Sequence, residues 1–189
     1  MTADQLAVLF RSFNVRRFHT TPVIQDQTVG DHTARVMVIA IYLAGPTETL
    51  RYNLLLAILE HDGLESITGD IPATTKWIGN FGEVLEALEA KINEQVKFGA
   101  YELLNEEDKL LLKVADMAEL CARASQESIM GNRFMGDIFN NGARYLTTLK
   151  PKMPPEMWER LEEILGPGKP KTPLGGSPTP PAASGPSAS

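Results

Sequence analysis

Cysteine, basic residues and long apolar runs are all scarce in this chain of 189 residues. Its one cysteine, Cys121, excludes an intrachain disulfide and is consistent with a reducing compartment. Eighteen Lys and Arg residues against 24 Asp and Glu residues give a net charge of −6, which argues against direct binding of nucleic acid through phosphate neutralisation. No apolar run reaches the about 18 residues of a transmembrane helix, so we expect no membrane span.

The first residues also lack the pattern of a secretory signal peptide. They include Asp4, have no basic start and contain only a short apolar stretch. We therefore expect a cytoplasmic protein. Its composition is 43% hydrophobic and 22% charged, which is typical of a globular protein of one domain or at most two.

The composition changes sharply at Gly166. The last 24 residues contain seven prolines, five glycines and four serines, and Leu174 is their only large apolar residue. Such a segment cannot offset the entropy of ordering by burying apolar surface. We predict one domain over residues 1–165 and a disordered tail over residues 166–189, which is either an inert extension or a proline-rich ligand for a partner.

The domain is predicted to be all-α, with about seven or eight helices, because apolar residues recur at helical spacing and no strand-like alternation is sustained. The predicted helix at residues 47–62 is apolar nearly all round, which indicates burial. Residues 14–28 are polar and irregular, and Gly63 and Gly69 interrupt a later stretch. The predicted helices cover residues 3–13, 29–44, 47–62, 80–98, 106–130, 133–149 and 155–165.

Polar residues interrupt three of the apolar helical faces. His32 lies on one such face, where a lone histidine is usually a core residue with a hydrogen-bond partner. His61 and Asp62 close the most apolar helix, and both side chains can reach one ion only near a helix end, which Gly63 provides. Asp116 lies on a third apolar face, where an unpaired carboxylate is costly to bury.

These four side chains form a plausible set of metal ligands when taken together. Two imidazole nitrogens and two carboxylate oxygens suit Zn²⁺, Mn²⁺, Co²⁺ or Fe²⁺ better than Ca²⁺ or an ion that prefers thiolates. A bound cation would also offset the cost of burying Asp62 and Asp116.

The order of these residues, H…HD…D on helices, resembles the HD-domain metal-dependent phosphohydrolases. The likeness extends to whole segments of the 5′-deoxynucleotidases related to YfbR, whose central block reads HDxxExxTGDxP followed by a lysine. It covers roughly residues 5–150. The matching segments are FNVRRF at 13–18, TVGDH at 28–32, HDGLESITGDIPATTK at 61–76 and KVADMAEL at 113–120.

Within this superfamily the short chain and the 54-residue spacing from Asp62 to Asp116 most resemble the phage DatZ enzymes. These are compact HD proteins that hydrolyse dATP to deoxyadenosine and triphosphate. The resemblance implies an HD fold and a divalent ion, Zn²⁺, Co²⁺ or Mn²⁺, held by His32, His61, Asp62 and Asp116. It also allows an additional Mg²⁺ on the substrate phosphates.

The resemblance further implies roles in substrate binding. Arg17 corresponds to an arginine that clamps phosphate, and the adjacent Arg16 is the alternative. Lys76 is expected to contact the outer phosphates, or else is a solvated lysine after a turn. Phe18 is expected to pack on the sugar, or else is a core aromatic residue.

Two acids are implied to take part in proton transfer. Glu65 corresponds to an acid close to the bound water of the related enzymes, where it acts as a general acid or base or orients the water. Asp70 is the second choice for proton transfer or orientation, and its alternative role is in turn formation.

We therefore predict a metal-dependent hydrolase of deoxynucleotide phosphates, with dATP as the first choice of substrate. The alternative within the superfamily is a deoxynucleoside 5′-monophosphatase. The alternative from another class is a catalytically idle HD domain that binds nucleotide or serves as an interaction module. Because the relatives range from dimers to hexamers, the resemblance also implies a homo-oligomer.

Overall fold

The computed structural model describes residues 1–46, 51–76 and 78–166, and within these residues it is helical. An isolated antiparallel bridge between Arg16 and Thr28 is the one strand-like feature of these ranges. The all-α prediction is confirmed. The helices are α1 Ala3–Ser12, α2 Val29–Ala44, α3 Tyr52–Glu60, α4 Glu65–Thr68, α5 Ala73–Lys76, α6 Phe81–Val96, α7 Glu106–Ile129, α8 Gly136–Leu149 and α9 Pro155–Leu165, with 3₁₀ turns at Tyr101–Leu103, Arg133–Met135 and Lys150–Lys152.

Helix α2 has the bounds that the sequence predicts, because both of its ends are encoded locally. The Thr28 hydroxyl accepts a hydrogen bond from the Asp31 amide, while the Asp31 carboxylate accepts one from the Thr28 amide. This reciprocal pair satisfies two amides that have no partner inside the helix. At the other end Gly45 has a φ of +90°, which a residue with a side chain rarely adopts.

The structure differs from the sequence prediction mainly around α3. The predicted helix at 47–62 begins in residues 47–50, which lie outside the described residues, and α3 ends at Glu60 instead of continuing through Asp62. The single-turn helices α4 and α5 were not predicted. Each has four residues, too few for an apolar periodicity to show in the sequence.

Helix α7 is the central element of the core. It is the longest helix, with 24 residues, and it packs against α2, α3, α8 and α9. The apolar faces of these helices meet around it and are fully buried, as helical periodicity requires. The side chains of this core with no exposed surface include Val36, Leu54, Ile58, Val114, Leu146 and Leu161.

Residues 13–28, which we call the arginine loop, connect α1 to α2 and fold back on themselves. The Arg17 amide donates to the Gln27 carbonyl at 2.9 Å, and the Val29 amide donates to the Val15 carbonyl at 2.9 Å. These two bonds hold the first part of the loop, residues 15–17, against its last part, residues 27–29. Arg17 is thereby held beside the start of α2.

No helix in the described ranges has both the length and the apolar character needed to cross a bilayer. Gly166 follows the end of α9, and the rest of the predicted tail lies outside the described residues. The boundary between domain and tail and the homo-oligomer stay predictions.

Replacing Leu54 by Ala tests whether α3 is held by the core. Leu54 is 0% exposed, so we expect the change to lower the free energy of unfolding by about 2–5 kcal/mol through lost burial and a cavity. Leu103→Ala is the matched control, because Leu103 is 68% exposed. Urea unfolding measures both. Equal, small losses in the two variants would contradict the placement of α3.

Candidate metal centre

Three elements bring the four predicted ligands together. His32 lies in the first turn of α2, and Asp116 lies near the middle of α7. His61 and Asp62 lie in the turn that follows α3. Gly63 lets this turn pack tightly, because a Cβ there would lie 2.6 Å from the ring of Phe98.

The ligand atoms are spaced as the ligands of one ion are spaced. His32 Nε2 lies 3.2 Å from His61 Nε2, 3.2 Å from Asp116 Oδ1 and 3.5 Å from Asp62 Oδ2, and His61 Nε2 lies 3.4 Å from Asp62 Oδ2. Ligands about 2.0–2.1 Å from a tetrahedral ion are about 3.3–3.4 Å apart. The donor types fit a divalent cation, and His32, His61 and Asp116 offer ligand atoms that all lie within 4.8 Å of one another, whereas Asp62 lies close to the two histidines without belonging to that group.

Hydrogen bonds hold both imidazole rings with Nε2 directed at this centre. His61 Nδ1 lies 2.7 Å from the Ile58 carbonyl oxygen, which can only accept, so Nδ1 carries the proton and Nε2 keeps its lone pair. His32 Nδ1 lies 2.7 Å from Glu119 Oε2, so Nδ1 donates to the carboxylate and Nε2 is directed at the centre. Such partners fix the tautomer and the orientation of metal-binding histidines.

Glu119 is a site residue that the sequence analysis missed. It is 1% exposed, and it accepts a second hydrogen bond at 2.8 Å from the Gln27 side chain. Glu119 lies one turn after Asp116 on α7, inside the KVADMAEL segment. The spacing of two acids on one helical face was therefore the available signal.

The electrostatics of the centre favour a cation. Burial and the charge of Arg17 lower the pKa of His32, but hydrogen bonds to Asp116 and Glu119 and the charge of Asp62 outweigh them and raise it to about 9. Burial raises the pKa values of Asp116 and Glu119, yet their interactions with His32 lower both overall. The carboxylates are thus ionised and surround the imidazoles with negative charge.

The two adjacent arginines occupy different places. The side chain of Arg17 is 13% exposed and donates from NH1 to Asp62 Oδ2 at 3.1 Å. Its buried Nε has no hydrogen-bond partner within the described part of the chain. The side chain of Arg16 is 67% exposed and pairs with Asp26 at the surface. Arg17 lies at the centre and Arg16 does not.

Phe18 and Asp70 meet beside Arg17. Phe18 has a φ of +58°, which is rare for a bulky residue, and its amide donates to Asp70 Oδ2 at 3.2 Å. The guanidinium carbon of Arg17 lies 5.8 Å from the centre of the Phe18 ring. Asp70 therefore holds the backbone of the arginine loop, and its part in proton transfer stays a prediction.

Glu65 begins α4, close to Asp62. Its Oε2 is buried and has no hydrogen-bond partner among the described residues. Burial and the charges of Asp62 and Asp70 raise the pKa of Glu65 to about 9, against the opposing charges of Arg17 and Lys76. The carboxyl group is consequently protonated near neutral pH in the metal-free protein.

Lys76, at the end of α5, carries a positive charge that lowers the pKa of Glu65 and also that of Glu89 on α6. Burial raises the pKa of Glu89, Lys76 lowers it, and Asp62 raises it. The sequence analysis did not identify Glu89, because α6 carries several acids with nothing to distinguish them. The charges of Lys76 and Asp62 thus both act on Glu89.

Comparisons with known proteins give structural neighbours only: no protein-family model matches the chain, and no curated protein sequence matches it. The cyanophage S-2L HD phosphohydrolase DatZ, solved with dA and one catalytic Zn²⁺ ion, is 21% identical and has a TM-score of 0.61 over 82% of this chain and 90% of that one. The chain has the HD phosphohydrolase fold. A conserved hypothetical protein from Pyrococcus furiosus is 22% identical, with a TM-score of 0.67 over 86% of this chain and 98% of that one.

The HD fold collects residues that are far apart in the sequence. The resemblance inferred from the sequence is thereby confirmed at the level of the fold. The site contains most of the residues predicted for it, and Arg16 is the one that lies at the surface. His32, His61, Asp62 and Asp116 meet at the centre, Arg17 contacts Asp62, Phe18 and Asp70 lie beside Arg17, and Glu65 is within the electrostatic influence of Asp62, Asp70, Arg17 and Lys76.

Replacing His61 by Ala tests the metal centre. The change removes one ligand atom, so we expect the metal content to fall from about one ion per chain to near zero after dialysis, measured by elemental analysis. Glu119→Gln keeps the ligands but weakens the support of His32, and we expect an affinity about 10–100-fold lower. His19→Ala is the control, because His19 is exposed. Full metal retention by His61→Ala would exclude it as a ligand.

Proposed function

We propose that this chain is a metal-dependent hydrolase of deoxynucleotide phosphates and that it converts dATP to deoxyadenosine and triphosphate. The observation that carries the proposal is the shared contact at Asp62, whose Oδ2 lies within 3.5 Å of both histidine nitrogens and 3.1 Å from Arg17 NH1. This contact supports a site in which a cation and a guanidinium that binds phosphate would lie side by side. The dA and the Zn²⁺ in the DatZ neighbour of the same fold support this choice.

His32, His61, Asp62 and Asp116 are the residues that would hold the ion. A bound divalent cation supplies Lewis acidity and lowers the pKa of a coordinated water. Arg17 supplies a planar fork of donors that matches two phosphate oxygens. Its buried Nε has a donor to spare, so phosphate binding can satisfy an atom that has no partner in the ligand-free chain.

We infer that Glu65 supplies the proton that the leaving group needs. Release of either triphosphate or orthophosphate breaks the bond between phosphorus and the 5′ oxygen, and that oxygen leaves with a negative charge unless it is protonated. Burial is the largest of the causes that raise the pKa of Glu65, it does not depend on the metal, and it favours the protonated carboxyl group that can donate. The unpartnered Oε2 of Glu65 allows the group to approach a substrate atom.

The charges at the site favour a second candidate, the deoxynucleoside 5′-monophosphatase. The cations that act on Glu65 and Asp116 are Arg17, Lys76 and Lys113, and carboxylates outnumber them at the centre. A triphosphate brings more negative charge than a monophosphate, so it needs additional cations to offset the repulsion. A magnesium ion on the outer phosphates would supply that charge.

A substrate screen distinguishes these candidates. Purified protein with Zn²⁺, Co²⁺ or Mn²⁺, with and without Mg²⁺, is incubated with each deoxynucleoside mono- and triphosphate, and the products are identified by chromatography. We expect deoxyadenosine and triphosphate from dATP. Orthophosphate from monophosphates alone would favour the second candidate. The His61→Ala variant is the control, and no turnover with any metal would leave the idle nucleotide-binding domain as the explanation.

Replacing Glu65 by Gln tests the proton-transfer role separately from metal binding. The amide keeps the shape of the side chain but cannot donate a carboxylic proton. We expect metal content and substrate binding to persist while kcat falls by about 10²–10⁴-fold. Glu83→Gln is the matched control on an exposed residue of α6. An unchanged kcat in Glu65→Gln would assign the role to Asp70 or to the metal alone.

A further inference from the structure

The arginine loop is anchored to the second half of α7, well away from the metal centre. Glu127 lies 11 residues after Asp116, which is about 16 Å along the helix axis. The Glu127 carboxylate is 0% exposed and accepts the amides of Ile24 at 2.8 Å and Gln25 at 3.0 Å. It also accepts from the Asn132 side chain at 2.8 Å. Two consecutive amides of the loop are therefore held by one buried carboxylate.

Arg123 lies one turn earlier on α7. It binds the carbonyl oxygens of Gln25 in the same part of the loop. It is 3% exposed, donates to the backbone carbonyl and the side-chain oxygen of Gln25, and pairs with Glu127 at 2.9 Å. The Asn132 side chain donates to the Pro22 carbonyl at 2.8 Å. Loop residues 22–25 thus have both donors and acceptors fixed by α7 and the turn that follows it.

The anchoring reaches Arg17 through the backbone. Gln27 follows the anchored residues, its side chain donates to Glu119, and its carbonyl accepts the Arg17 amide at 2.9 Å. Phe18, which follows Arg17, has the unfavourable φ of +58°. Such a conformation persists only where the surroundings determine it on several sides, and the anchored strand of the loop is one of those sides.

The buried pair of Arg123 and Glu127 is not explained by stability. Desolvation of two charges offsets most of their attraction, and replacement by apolar residues of similar volume is often neutral or stabilising. The distinctive result of this pair is the fixed position of the loop strand that carries the Arg17 backbone.

We propose that Glu127 and Arg123 are positioning residues that set the place of Arg17 at the metal centre. The part of the proposal that concerns catalysis rests on the phosphate-binding role of Arg17 given under the proposed function. Neither residue is expected to touch substrate or metal. Their loss should lower the efficiency of hydrolysis without removing the ion.

The test replaces both residues at once, by Arg123→Met with Glu127→Leu. Removal of Glu127 alone would leave a buried, uncompensated guanidinium and risk unfolding, whereas the apolar pair removes both charges together, so we expect it to stay folded with a melting temperature lowered only by the lost bonds to the loop. We expect full metal content and a kcat/KM lowered by about 10–100-fold. In an Arg17→Ala background the same pair should cause less than about a threefold further loss, because coupled residues are not additive. An unchanged kcat/KM, or equal losses in both backgrounds, would overturn the proposal.

Hydrogen exchange provides a readout that does not depend on activity. In the apolar double variant the Arg17 amide should exchange about tenfold faster or more, while the His32 amide, bonded to the Thr28 carbonyl within the start of α2, should be unchanged. Unchanged exchange at Arg17 would refute the positioning role. If the wild-type protein hydrolysed no deoxynucleotide, the proposed function would fail while this measurement still decided whether α7 positions Arg17.

A second ion pair on the same helix provides the matched control. Lys109 and Glu106 are bonded at 2.9 Å, and Glu106 is almost fully exposed. Lys109→Met with Glu106→Leu likewise replaces an ion pair of α7 by apolar residues, but at a pair that is not bonded to the arginine loop. This variant should leave kcat/KM and the exchange of Arg17 at wild-type values, and a loss equal to that of the buried pair would attribute the effect to α7 in general.

Discussion

The hydrogen bond between His32 and Glu119 is the interaction on which the candidate site depends. Both side chains are buried, and the carboxylate needs donors because it cannot be solvated. It takes one from His32, which directs the opposite ring nitrogen at the metal centre, and one from Gln27, whose carbonyl holds the Arg17 amide. One buried charge thereby orients a candidate metal ligand and one end of the loop that carries Arg17.

Helix α7 extends the same principle along its length. Asp116, Glu119, Arg123 and Glu127 recur at intervals of three and four residues, so they form a polar stripe on a helix that is otherwise packed in the core. Each costs free energy to bury, and each is matched by partners from α2 or the arginine loop. The stripe joins the ligands of the ion to the anchor of the loop, and it gives the HD fold a rigid element behind both halves of the site.

Much of the fold followed from local patterns. The capping pair of Thr28 and Asp31 and the apolar periodicity predicted both ends of α2 as the structure has them. Both signals are local, because they involve residues within the helix or directly before it. The ligand set was predictable for a related reason, since His32 and Asp116 are polar residues on apolar faces. Glu119 was overlooked although it has the same character, because its partner Gln27 is 92 residues away and lies in an irregular loop.

The sequence by itself determined the longer helices apart from the end of α3, the candidate ligands and the resemblance to HD phosphohydrolases, because periodicity, caps and motif spacing are properties of neighbouring residues. Only the tertiary structure decided which arginine enters the site. Arg16 and Arg17 are adjacent in a loop without periodicity, and the pairing of Arg17 with Asp62 depends on how the loop folds back against α2 and α7. The tertiary structure likewise decided that His61 and Asp62 lie in a turn, because α3 ends where packing against Phe98 admits only the glycine at position 63.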